Sequence, residues 1–181
     1  MEKFLNSKQI KNIFLVSIIT FLIVILSSCS SHENDYKKIN EKDTDLTHRQ
    51  HMIHERSPMV MPFDMDKVTH YFIKNDSGGI LRIKTKEISD TIQTALIQSH
   101  LKKEYTLFSN ADFNDPKTLH GINMPGLKTL SESKGKFNVE YENLSNGAQI
   151  VFSSNDSEVI NAIHKWFDAQ IKDHGSDAES Q

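Results

Sequence analysis

Val68-Thr69-His70-Tyr71-Phe72-Ile73-Lys74-Asn75-Asp76-Ser77-Gly78-Gly79-Ile80-Leu81-Arg82-Ile83-Lys84-Thr85 decides the fold. From Val68 to Lys74 apolar and polar side chains alternate loosely, which suits a strand with one face buried. Asp76-Ser77-Gly78-Gly79 supplies residues that accept positive φ in a tight turn, and Ile80 to Thr85 continues as the returning strand. The same pattern recurs downstream: Phe137 to Glu142, then Ser145-Asn146-Gly147, then Gln149 to Ser153. After each hairpin comes a stretch with apolar side chains at helical spacing, Asp90 to Phe108 and Ser157 to His174. Asn155 and Glu158 have capping-box spacing, and Gly175 marks the stop.

A hairpin and one helix cannot bury their own apolar faces. The two ββα units are therefore expected to join into one antiparallel sheet with both helices on one face, an α+β domain. Between the units, the link from Ser109 to Lys136 contains Pro116, Gly121, Pro125 and Gly126. It reads as mostly loop, with a short helix at Gly126 to Ser133. The folded domain is expected over residues 59–174, and residues 175–181, GSDAESQ, read as a polar tail.

The N-terminal 28 residues read as a signal peptide. A polar start carries Lys3, Lys8 and Lys11, and residues 13–26 are apolar except for Ser17 and Thr20. That run falls short of the roughly 20 apolar residues needed to span a bilayer. Leu26-Ser27-Ser28-Cys29 resembles a bacterial lipobox, which implies cleavage before Cys29 and its lipidation, and so an anchor in the cell membrane or outer membrane facing periplasm or exterior. Ser30, in the place where an aspartate would favour inner-membrane retention, points to the outer membrane. Residues 29–58 read as a tether whose first part, SSHENDYKKINEKDTDLT at 30–47, is too polar to fold alone, followed by a histidine-rich segment.

Composition excludes several classes of function. Removing three lysines and one glutamate with the signal leaves 18 basic and 23 acidic side chains, a net charge of about −5 with no basic patch for nucleic acid. Cys29 is the only cysteine, so once it is lipidated no disulfide, thiolate zinc site or cysteine nucleophile is available. No Gly-x-Ser-x-Gly, His-Glu-x-x-His, phosphate-binding glycine loop or Cys-x-x-Cys-His occurs.

The candidate ligands cluster in His48-Arg49-Gln50-His51-Met52-Ile53-His54-Glu55, with Met59, Met61 and Met65 beyond. Three histidines spaced by three share one side of a helix. Imidazole with thioether suits copper, and thioether favours Cu(I). A second group, His120 and Met124 in a turn-rich loop, could complete that site or ligate haem noncovalently. The other reading of residues 48–65 is a methionine-bearing surface that docks on an envelope protein. His100 projects among Ile92, Leu96, Ile97 and Leu101, and His174 near Ile163, Phe167 and Gln170. Both are expected to be hydrogen-bonded core histidines.

At Met61-Pro62-Phe63-Asp64, at His120-Gly121 with Met124-Pro125-Gly126, and from Asn161 to Gln170 through Asp173-His174-Gly175, the chain resembles a group of small bacterial exported proteins labelled aspartate carbamoyltransferase. The resemblance runs from about His48 to Gly175 and implies carbamoyl transfer to aspartate. The Ser-Thr-Arg-Thr-type and His-Pro-x-Gln-type motifs that bind carbamoyl phosphate do not occur in this sequence, so no catalytic residue is carried over.

Overall fold

The computed structural model describes residues 44–180. The signal segment, Cys29 and the tether up to residue 43 lie outside the described residues. Of the described residues, 47–180 form one compact unit. It opens on a helix, α1 (47–56 within this unit), and continues through β1 (Val68–Asn75), β2 (Gly78–Thr85), α2 (Thr91–Phe108), α3 (Asn114–His120), α4 (Leu127–Ser131), β3 (Asn138–Leu144), β4 (Gly147–Ser153), α5 (Ser157–His174) and β5 (Ala178–Ser180). The expected α+β class is what forms: one five-stranded sheet, order β3-β4-β2-β1-β5, with α2 and α5 packed on it.

The two hairpins meet back to back through β2 and β4, and the junction is reciprocal. Gly78 pairs with Ser153 and Gly147 with Lys84. Thr85 N donates to Asn146 O at 2.9 Å, and Ser154 N donates to Ser77 O at 2.8 Å. Each hairpin's turn thus caps the end of the other's inner strand, a pseudo-twofold arrangement that follows from repeating one hairpin sequence. The turn glycines are required by it. At Gly78 (φ 146°) a Cβ would stand 2.4 Å from Phe152 O, and at Gly147 (φ 158°) 2.0 Å from Ile83 O.

One sheet face carries Val68, His70 and Phe72 of β1, Leu81 and Ile83 of β2, and Ala148, Ile150 and Phe152 of β4, all buried. Helix α5 covers this face with Val159, Ile163, Trp166 and Phe167. Helix α2 covers it with Ile97, Leu101 and Phe108. Aspartates cap both helices, Asp90 accepting from Gln93 N and Asp156 from Glu158 N. The cap of α5 is therefore Asp156 and not the expected Asn155. Asp156 N donates to Ser154 Oγ, and Ser154 is itself held to Ser77, so the helix begins one residue later.

Three elements differ from the expectation. The polar segment after Gly175 is part of the sheet: Ala178, Glu179 and Ser180 pair in parallel with His70, Tyr71 and Phe72. Four strands are antiparallel as expected, and this fifth makes the sheet mixed. The link contains a second helix, α3, with Pro116 in its first turn, where the missing N–H costs nothing. The histidine-rich segment is helical and belongs to the domain, which therefore starts well before residue 59. Ile53 of α1 is buried in the core, and Gln50 Nε2 donates to Lys172 O at the end of α5.

Candidate functional site: a cavity in the core

Between the sheet and the helices lies a cavity of about 60 Å³. His70 enters it because it occupies an inward position of β1, between buried Val68 and Phe72. Trp166, Gln170 and His174 stand at i, i+4 and i+8 on α5 and so share the face turned to the sheet. On α2 the buried stripe is Gln93, Ile97, Leu101, Glu104 and Phe108. That stripe puts a carboxyl into the apolar interior, and His100 joins Glu104 on the cavity wall. Ile92, expected on this stripe, is instead 71% exposed.

Among the described residues, the buried side-chain polar atoms without a hydrogen-bond partner are His70 Nδ1 and Nε2, Glu104 Oε1, Trp166 Nε1 and Gln170 Oε1. All belong to residues that line this one cavity. Leaving such groups unsatisfied costs on the order of 1–3 kcal/mol each, so their gathering in one place is a departure from ordinary core design.

The electrostatics keep three of the histidines and Glu104 on the cavity wall uncharged and leave ionised Asp115 paired with Lys103. Burial, and then the nearness of His100, pushes His70 down to about 3, and the Asp177 backbone opposes this without meeting hydrogen-bond geometry. Burial and Lys103 lower His100 to about 4. Burial, with His70 and His120 beside it, holds His174 well below the ordinary imidazole range. Burial and a hydrogen bond with Asp115 raise Glu104 to about 8, so at neutral pH it is a carboxylic acid. Burial pushes Asp115 up, but hydrogen bonds with Lys103 and Glu104 outweigh it and keep that group ionised. The Lys103 ammonium lies 2.6 Å from it.

At the other end of the cavity the imidazoles stack. The rings of His70 and His174 lie 4.9 Å apart and nearly parallel, and His120 meets His174 edge-on at 5.1 Å. Asp173 orients His120 through a 2.9 Å contact to Nδ1. Burial raises the Asp173 carboxyl, but hydrogen bonds and charge from His120 and Arg49 outweigh it and hold the group below the usual carboxylate range.

The residues singled out as soft-metal ligands are not gathered. Met61, Met65 and Met124 are packed in the hydrophobic core, while Met59 is 73% exposed and Met52 half-buried. His48 is exposed; His51 faces Glu55 at 3.4 Å, and His54 pairs with Asp177 at 3.2 Å. His120 is committed to Asp173. Among the described residues no three His, Cys, Asp or Glu side chains form a group that could hold a metal ion, and no described helix is long and apolar enough to cross a membrane. His174 is buried as expected, while His100 is half-buried.

Sequence reasoning passed over His70, Glu104 and Asp173. Glu104 left a signal, since it falls three residues after Leu101 and four before Phe108 on the apolar stripe. Comparison with protein-family models, with curated proteins and with solved structures found no match to this chain.

Proposed function

We propose that this chain is a lipid-anchored binding module of the bacterial cell envelope, tethered through Cys29, whose domain takes a small ligand into the cavity between the sheet and helices α2 and α5. One observation carries this reading: every buried polar atom without a hydrogen-bond partner among the described side chains belongs to a residue that lines that cavity. A domain selected for stability alone would satisfy those groups or replace them with apolar ones. An anchored domain with an interior ligand site fits capture or sensing of a small molecule at the membrane surface. The signature motifs of hydrolases and phosphate-binding enzymes do not occur in the sequence, which favours binding over turnover.

The test is a fragment screen on the full chain in detergent, read from the indole N–H resonance of Trp166. Saturable shifts at Trp166, His70 and Gln170 with a common fragment support a ligand site. An unmoved indole resonance across the screen rejects it. Acyl labelling of the protein and of Cys29→Ser tests the anchor, with label expected only in the former.

A second reading keeps copper as the ligand of exposed His48 and His51 on α1. Copper titration of the full chain against the His48→Ala/His51→Ala double variant decides it, with the loss of stoichiometric binding expected under this reading.

A further inference from the structure

We infer, resting on the cavity being a ligand site, that its ligand is an uncharged molecule no larger than a single ring that both donates and accepts hydrogen bonds. Size sets the first limit. About 60 Å³ exceeds several-fold the ~10–15 Å³ that one water needs and falls far below the ~300–1,000 Å³ of a drug-sized pocket.

The wall sets the second. Trp166 Nε1–H can only donate, Gln170 Oε1 and Glu104 Oε1 offer lone pairs, and the two His70 nitrogens of a neutral ring provide one donor and one acceptor. A molecule that could not accept would leave two of these five atoms unmet, and one that could not donate would leave three. Around them stand Phe72, Leu101 and Phe108, which favour a ring over an extended polar chain.

Charge sets the third limit. The ionised groups nearest the cavity are already paired: Asp115 with Lys103 at 2.6 Å, and Asp173 with Arg49 at 2.6 Å and His120 at 2.9 Å. A charged guest would lose its hydration and find no free counter-charge, a penalty that pairing normally has to offset.

The experiment uses three five-membered rings of one size and different charge: pyrazole, which is uncharged with a donor beside an acceptor, tetrazolate, an anion, and pyrrolidinium, a cation. Each is titrated at pH 7.5 into the full chain in detergent, with emission from Trp166, the only tryptophan, as the readout. Pyrazole is expected to shift the emission saturably, with both ions at least about tenfold weaker, a difference of ~1.4 kcal/mol. Gln170→Leu removes one unpartnered acceptor at nearly constant volume. It should leave the fold intact and weaken pyrazole several-fold.

Equal or tighter binding of either ion overturns the charge assignment while leaving the ligand site standing. So does pyrazole binding that Gln170→Leu does not weaken, for the donor-acceptor assignment. Silence of all three rings, when other fragments move the Trp166 resonance, rejects the ligand class alone. If no fragment moves it, the site itself fails and this inference fails with it.

Discussion

Arg49 and Asp173, 124 residues apart, close a two-pronged ion pair: Nε lies 2.6 Å from Oδ1 and Nη2 lies 2.6 Å from Oδ2. The same guanidinium donates to the His120 backbone carbonyl at 3.0 Å. One side chain of α1 thereby fastens the end of α5 to the end of α3. The first helix of the domain is thereby held against the imidazole end of the cavity.

Unequal costs follow on the two sides of that pair. Asp173 is nearly buried and serves both partners, so Asp173→Ala takes the acceptor from buried His120 and from half-exposed Arg49 and should cost about 3–5 kcal/mol. Arg49 is 45% exposed, and water can replace part of its contact, so Arg49→Ala should cost about 1–2 kcal/mol. Urea titration of the two variants checks the order as well as the sizes.

Acid should destabilise the domain before its carboxylates titrate. His70, His100 and His174 are held neutral in the fold with pKa values below the unfolded value near 6.5. Their contribution is complete above pH 6.5 and is lost as pH falls toward the folded values, because the unfolded chain takes up protons that the fold refuses. For His70 alone the loss between pH 6.5 and 5 is about 2 kcal/mol. Glu104 acts in the opposite sense. Its raised value means the fold keeps a proton that the unfolded chain has released, so its contribution grows as pH falls from 8 toward 4.5. Three imidazoles outweigh one carboxyl, and net stability should drop below pH 6.5. Glu104→Gln removes the opposing gain, so the acid limb should steepen and stability at pH 8.5 should rise. Thermal melts of both proteins from pH 5 to 8.5 measure these slopes.

The turn glycines give a paired prediction. Gly78→Ala and Gly147→Ala each force a methyl group onto a carbonyl of the opposite inner strand, Phe152 O or Ile83 O, at positive φ. Each should cost about 2 kcal/mol or more, beyond the ordinary glycine-to-alanine difference, because the sheet junction must open to admit the methyl. The near-symmetry of β2 and β4 predicts similar losses at the two sites in denaturant titration.

The repeat was legible because everything that specifies it is local. Turn residues, strand alternation and helical spacing are all written within about 40 residues of one another, and the structure reproduces the hairpins and both long helices. The cavity was not legible, since it is assembled by distance in sequence: His70 from β1, Glu104 from α2, and Trp166 and Gln170 from α5. Spacing rules see a histidine or a methionine and its near neighbours. They could not show that Met61 and Met65 would turn into the core while Glu104 followed its stripe inward. The clustering of histidines and methionines at 48–65 was read as ligand chemistry, whereas three of the methionines named in that reading, with Met124 among them, supply flexible packing in the core.

The C-terminal segment carries the last prediction, because its composition alone suggested a dispensable tail. Strand β5 extends the sheet beside β1, with Ala178 directly opposite His70. Asp177, just before it, receives His54 from α1. Ending the chain at His174 would remove a row of strand pairing, the cap at Gly175 and one of the contacts that hold α1. It would also admit water beside His70, whose neutrality depends on burial. The truncated protein should therefore melt several degrees lower, lose amide-exchange protection along His70 to Phe72, and take up protons at His70 at higher pH in NMR titration. A truncation that melted like the intact chain would show that β5 adds no stability to the sheet. An unchanged His70 titration in a folded truncation would mean that the sheet and α5 alone keep that ring dry.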